Sequence, residues 1–278
     1  MKAQKSIKSF VKRNKRLTSS QKKFLESKNE NSNFHNAIEI LNYHQIFNNS
    51  NPCIMDIGFG DGKLLISIAK EKKHNNIVVP SGHPPRAMFG YTFPQLFYIL
   101  HHYEIISSGF KADFKKAILM LSSEKNNIKD LALNLAKNLY KKTPVIYAAN
   151  GFEGVSIRFR QQINENSKML CWHHVVPEMN HNELLGWRTN VENLAVVYIR
   201  NKSDYERNQI RIGINKKIIK KYTANITEVW SEGESLIENS LYHINLGDWV
   251  SWYLSEMNNV DAIEIDVINF LKNELAKV

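Results

Sequence analysis

Short apolar runs bounded by turn residues alternate with long stretches of helical periodicity, and this alternation constrains the fold more than any other feature of the chain. Residues 53–57, 77–80, 144–149, 169–172, Leu194–Arg200 and Ile226–Trp230 read as strands, the clearest being the β-branched run Leu-Ala-Val-Val-Tyr-Ile-Arg. Between and around them, residues 37–47, 63–70, 86–103, 112–140 (one or two helices), 151–164, 204–222, 235–257 and 260–276 carry helical spacing. Strands that are apolar on both faces and separated by helices form a parallel sheet covered on both sides, because each crossover lays a helix over one face. The expected fold is therefore α/β, with three layers around a mostly parallel sheet.

Charge narrows the function classes. The chain has 37 Lys+Arg against 27 Asp+Glu, but the excess is local. Residues 1–30 hold ten Lys/Arg and two Glu, a balance of +8, whereas residues 226–278 hold ten acidic residues against Lys272 and Lys277. Only the first segment has the charge of a nucleic-acid surface. Its basic residues interleave with Ile7, Phe10, Val11, Leu17 and Phe24, as expected of a basic helical arm. Lys216-Lys217-Ile-Ile-Lys220-Lys221 reads as a solvated helix face with Ile218 and Ile219 turned inward. No apolar run reaches the ~20 residues of a membrane helix; residues 89–100 come nearest and contain Pro94. No secretory signal follows the N-terminal lysines. Cys53 and Cys171 are too few for a disulfide framework, which suits a reducing cytoplasm.

The turn Asp56-Ile-Gly58-Phe-Gly60-Asp-Gly62 follows a strand and opens a helix, a place where backbone N–H groups meet a polar ligand. With the string from Ser6 to Leu25, it resembles the start of the tRNA (guanine-N7) methyltransferase family. That resemblance implies S-adenosylmethionine at Gly58 and Gly60, and tRNA on the basic arm. The family's later Asp-Pro-Trp segment is missing, so this remains the alternative reading.

From Gly62 onward the strings change character. Val78-Val-Pro-Ser-Gly82-His-Pro-Pro-Arg86-Ala, Gln162-Ile-Asn-Glu165-Asn-Ser-Lys168 and Pro177-Glu-Met-Asn-His181-Asn-Glu-Leu-Leu-Gly-Trp187 resemble the bifunctional phosphoglucose/phosphomannose isomerases. These are cytosolic enzymes built from two sugar-isomerase (SIS) domains. The resemblance implies a SIS-type domain over residues 62–278, of the C-terminal type, preceded by a methyltransferase-like segment over residues 1–61. It also implies a sugar-phosphate substrate, no metal or other cofactor, and a homodimer. Aldose–ketose isomerisation needs a base for the proton shared by adjacent carbons, a group to open the ring, and a cation beside the enediolate. The resemblance assigns these roles to Glu165, His181 and Arg86, with Lys272 as a lysine that reaches the site and Lys277 as its competitor. Glu178 and Glu183 read as loop-stabilising residues. His173, His174 and His181 lack the spacing that puts two imidazoles on one helical turn, so no metal is expected.

Two departures qualify the resemblance. No Ser-x-Ser-Gly-Asn-Thr-like loop occurs to grip a phosphate; Ser107-Ser108-Gly109 and Ser122-Ser123 read as helix-end residues. Asp261-Ala-Ile-Glu-Ile265 stands where the family commonly reads Asp-Pro-Thr-Pro-Val, so Ile263 replaces a threonine linked to use of the mannose epimer. The expectation is a fusion with its seam near Gly60–Leu65, whose isomerase activity is impaired because the first SIS domain is missing. A non-catalytic sugar-phosphate-binding module is a further alternative.

Overall fold

A computed structural model describes residues 83–189 and 193–277 of the chain. The basic arm, the glycine turn with Gly58 and Gly60, and the strands expected at 53–57 and 77–80 lie outside the described residues. Four parallel strands form one sheet in the order β2-β1-β3-β4: β1 Thr143–Ala149, β2 Trp172–Val176, β3 Leu194–Arg200 and β4 Ile226–Trp230. Val145 pairs with Trp172 on one side and Val196 on the other, and Val196 pairs with Ile226. The central strands are buried almost throughout, which explains their unbroken apolar sequences.

Helices complete three layers. Helix α1 (Phe89–His102) follows a 3-10 turn at Pro85–Met88; α2 spans Phe110–Ser123 and α3 Lys125–Leu139. Helix α4 (Glu153–Ser167) links β1 to β2, and the short α5 (Glu183–Gly186) follows β2. Helix α6 (Glu206–Ile219) links β3 to β4; α7 (Leu236–Asn258) and α8 (Asp266–Leu275) end the chain. Alternation along β1 sends Ile146 and Ala148 to a core with α3, α4 and α7, and Val145 and Tyr147 to a core with Met179, Trp187 and α6. Among the described residues, no helix is long and apolar enough to cross a membrane.

Helix α7 is the pillar of the first layer. Ser235 and Glu238 form a reciprocal capping box at its start, and Asn259 closes its end in the left-handed region. Gly247 lets α7 approach α4 closely, since a Cβ there would lie 3.0 Å from the Phe159 ring. The lysine pairs of α6 behave as a solvated face: Ile219 is buried, Ile218 half-buried, and Lys216 pairs with Glu228. Ser122 and Ser123 end α2, bonding back to the carbonyls of Ile118 and Met120.

Two boundaries differ from expectation, and one open choice is resolved. The second described strand lies at Trp172–Val176 rather than 169–172, because the apolar Met169–Cys171 approach precedes the ladder. The last helix begins at Asp266, not 260, since the backbone from Ala262 to Glu264 is recruited by basic side chains. Residues 112–140 form two helices, joined at Glu124.

Close packing and a buried imidazole each set a measurable stability. Gly247→Val should lower unfolding free energy by about 1–3 kcal/mol in urea denaturation, as methyl groups crowd Phe159. His243 is buried and neutral, its pKa lowered from 6.5 to about 4 by burial, and its Nε2–H donates to the Arg200 carbonyl and Asn201 Oδ1. The unfolded chain therefore takes up a proton at this site first as pH falls. This contribution is fully present above pH 6.5 and is lost on acidification toward pH 4, about 3 kcal/mol in all. His243→Gln should flatten the pH dependence of the denaturation midpoint across that window.

Candidate active site

Glu165 lies in the last turn of α4, where the chain approaches β2 and the sheet's N-terminal edge. Helix α4 starts after the C-terminal end of β1 and runs antiparallel to it, as a crossover helix must. Arg86, in the 3-10 turn before α1, reaches this helix end. Its Nη1 donates to Glu165 Oε1 at 2.7 Å and its Nε to Asn166 Oδ1 at 2.7 Å. Its Nη2 donates to the carbonyls of Ala262 at 2.6 Å and Ile263 at 3.2 Å. The Arg86 side chain is only 9% exposed, while that of Glu165 is 32% exposed. A guanidinium carries five N–H donors in a fixed fork. Four are engaged here, and one Nη1–H remains.

Beside this clamp sits a second one. Arg158 Nη2 donates to Asp248 Oδ2 at 2.8 Å and to the Arg86 carbonyl at 3.2 Å, and Gln162 Nε2 donates to Asp248 Oδ1 at 2.8 Å. The Arg158 guanidinium lies 4.5 Å from the centroid of the Phe89 ring. Burial holds the Asp248 carboxyl above its ordinary 3.8, against the opposing pull of the hydrogen bonds from Arg158 and Gln162. Asn166 Nδ2 reaches Ser251 Oγ at 2.9 Å, tying the helix end to α7. Arg158, Gln162 and Glu165 fall at i, i+4 and i+7 on α4, and so on one face. They line a cleft of about 470 Å³ with Arg86, Gln161, Asn164 and Ile268. Glu165 Oε2 takes no hydrogen bond among the described residues and is the oxygen left available.

Lys168 closes α4 in the left-handed conformation; its Nζ donates to the carbonyls of Glu165 and Glu264, each at 2.7 Å. Lys272 is exposed on α8, one turn beyond cleft-lining Ile268 on the same helix face. Lys277 is instead drawn to Glu274 Oε1 at 2.6 Å. Ile263 stands in the segment whose carbonyls hold Arg86, at the wall of a neighbouring cleft.

His181 is elsewhere. It ends the 3-10 turn Glu178–His181 beyond the C-terminal end of β2, exposed, with no hydrogen-bond partner among the described residues. Strand β2 separates it from Glu165 by five residues, about 17 Å of extended chain. The structure thus joins Arg86 with Glu165, carries Lys272 one helical turn beyond cleft-lining Ile268, and leaves His181 beyond the other end of β2. Glu183 anchors the His181 loop: its carboxylate accepts from the Tyr147 hydroxyl, from Trp172 Nε1 at 3.3 Å and from His174 Nδ1 at 2.8 Å. Sequence reading missed Arg158, Gln162 and Asp248. The i, i+4 and i+7 spacing back from Glu165 was the available signal for the first two.

The family described as the bacterial phospho-glucose isomerase C-terminal SIS domain matches residues 128–275. A bifunctional phosphoglucose/phosphomannose isomerase from Caldicellulosiruptor bescii is 31% identical over 233 residues, 80% of this chain and 68% of that protein. The chain thus spans about two thirds of that relative's length. A tRNA (guanine-N(7)-)-methyltransferase from Pseudoalteromonas atlantica is 35% identical over 79 residues, 28% of this chain and 33% of that protein. Among solved structures, a hypothetical protein from Thermus thermophilus shares the fold with a TM-score of 0.50 at 12% identity, covering 58% of this chain and 49% of its own.

Arg86→Lys should cost about 1–2 kcal/mol of stability, because one ammonium cannot reach all the acceptors that the fork spans and part-buried acceptors lose their partner. Equilibrium denaturation of the two proteins side by side measures this loss.

Proposed function

The chain belongs to the family of the bacterial phospho-glucose isomerase C-terminal SIS domain, and from that premise we propose that it is a sugar-phosphate aldose–ketose isomerase. The reaction interconverts glucose 6-phosphate, or its mannose epimer, with fructose 6-phosphate through a cis-enediolate. Glu165 moves the proton between C1 and C2. His181, supplied by a second copy of the chain, opens the sugar ring. Arg86 holds Glu165 and offers its remaining Nη1–H to the enediolate oxygens, and Lys272 approaches from α8. The observation that carries the reading is the Arg86–Glu165 ion pair at 2.7 Å in an open cleft, joining two strings that resemble the isomerase family.

Ile263 supplies no hydroxyl beside the clamp, which favours the glucose epimer. No Ser/Thr-rich phosphate loop occurs in the 278 residues, so ground-state and transition-state binding both weaken and turnover is low. The proposed domain division remains residues 1–61 and 62–278. The methyltransferase and isomerase likenesses cover 28% and 80% of the chain, so they overlap, which suits a glycine turn serving either parent. A methyl-transfer reading, with S-adenosylmethionine at Gly58 and Gly60 and tRNA on the basic arm, rests on the shorter likeness alone. Transfer of a labelled methyl group to tRNA would favour it. A cytoplasmic setting fits the buried free thiol of Cys171, whose pKa burial raises to about 12.

A coupled assay for glucose 6-phosphate formation from fructose 6-phosphate tests the reading. Glu165→Gln should lower kcat about 100-fold or more; a fully active variant removes Glu165 from the chemistry. Glu165→Gln and His181→Ala chains, each inactive alone, should recover about one quarter of parental activity on random mixing. Half of the dimers would then be mixed, each with one intact site.

A further inference from the structure

We propose that Asp248, on α7, is a positioning residue for the clamp between Arg86 and Glu165: it holds Arg158 so that the Arg158 guanidinium fixes the turn from which Arg86 reaches. The inference deepens the reading of Glu165 as the proton-moving base, and rests on that reading only for its kinetic consequence. A side chain is placed by its root as well as by its tip. The tip of Arg86 is held by Glu165, Asn166 and the carbonyls of Ala262 and Ile263. Its root is a four-residue 3-10 turn, Pro85–Met88, with no side-chain cap. Arg158 steadies that turn at two points. Its Nη2 donates to the Arg86 carbonyl at 3.2 Å, and its guanidinium lies 4.5 Å from the ring centroid of Phe89, three residues further on.

Arg158 is in turn placed by Asp248, whose carboxylate accepts from Arg158 Nη2 and from Gln162 Nε2, each at 2.8 Å. The Arg158 Nε is buried and has no hydrogen-bond partner among the described residues. An orphaned buried donor is costly, so the guanidinium sits where Asp248 and the Arg86 carbonyl draw it, not where its own donors are best satisfied. Fastening α4 to α7 would not need this charge. The two helices already meet through Phe159, Ile163, Leu246 and Val250, and an apolar pair holds helices as well as a part-buried ion pair does. What an apolar pair cannot do is aim a planar fork at a chosen carbonyl. The spacing on α7 supports the same role. Ser251, three residues after Asp248 and on the same helix face, accepts from Asn166 Nδ2 at 2.9 Å, and Asn166 Oδ1 accepts from Arg86 Nε at 2.7 Å. Two polar residues one turn apart on α7 thus reach Arg86 by separate routes, one to its backbone and one to its side chain. Gly247, beside Asp248, permits the close approach, since a Cβ there would meet the Phe159 ring at 3.0 Å.

The test uses the full chain, labelled with nitrogen-15, in which the Nε–H resonance of Arg86 is identified by its loss in Arg86→Lys. The hydrogen bond to Asn166 should slow exchange of this proton with water. Asp248→Asn, close to isosteric, should speed that exchange about 10-fold. It should also lower kcat on fructose 6-phosphate about 10-fold while KM changes less than about 3-fold. Arg158→Lys, which keeps a charge beside Asp248 but not the fork, should give the same changes and serves where Asp248→Asn does not fold. Val250→Ala opens a cavity on the core side of the same helix, and should destabilise the chain while leaving both readouts at parental values. Exchange as slow in Asp248→Asn as in the parent, or speeded equally in Val250→Ala, would overturn the proposal. The two readouts separate this inference from the isomerase reading. Asp248-dependent protection in a chain that does not isomerise the sugar phosphate upholds the positioning and removes the chemistry. An active enzyme whose Arg86 proton and kcat ignore Asp248→Asn does the reverse.

Discussion

The four-pointed grip of Arg86 organises this end of the molecule. One planar guanidinium ties the turn before α1 to the last turn of α4 and to the backbone of Ala262 and Ile263, segments separated by 79 to 177 residues. Nothing else in the amino-acid repertoire presents so many donors in one rigid plane. A lysine would satisfy the carboxylate and abandon the carbonyls. The grip also limits chemistry. A cation whose donors are nearly all committed acts first as a splint for Glu165, and only its last N–H can follow charge as it develops on a substrate.

Parallel topology supplies the second constraint. A crossover helix returns the chain to the edge from which the preceding strand set out, so a residue at its C-terminus sits at the N-terminal edge of the sheet. The next strand then carries the chain to the other edge. Glu165 and His181 occupy these two stations of one crossover, and no side-chain rotation brings them together within a chain. In the proposed reaction, symmetry does what the single chain cannot.

Much of this was legible in the sequence, for identifiable reasons. Strands β1 and β3 emerged where continuous apolar runs marked them, because they are buried between helices, and β4 emerged from its β-branched and aromatic residues although only Val229 is buried in it. Strand β2 was displaced by three residues: Met169–Cys171 is the more apolar stretch, but edge strands are not required to be apolar and the ladder starts at Trp172. The start of α8 was misjudged because residues 260–265 have helical periodicity while their carbonyls are claimed by Arg86 and Lys168. Arg158 and Gln162 look, in one dimension, like an ordinary solvated helix face. Only packing against Asp248, 90 residues away from Arg158, turns that stripe into a cleft wall. Long-range polar pairing leaves almost no periodic trace, which is why the site's elements were readable and its connections were not.

Charge pairing within the cleft bears on how such a site would hold a phosphate. Arg86 is matched by Glu165, Arg158 by Asp248, and Lys168 by two carbonyls and the nearby Glu264. A phosphate dianion entering this cleft would have to compete with protein acceptors for those cations, and breaking a partly buried pair leaves a carboxylate uncompensated. Lys272, exposed on α8, is drawn to no carboxylate among the described residues. In the proposed isomerase the reacting end of the sugar is therefore well provided for, by a fixed carboxylate and a braced guanidinium. The phosphate end is not, and the same saturation that makes the clamp stable makes the cleft a weak anion trap.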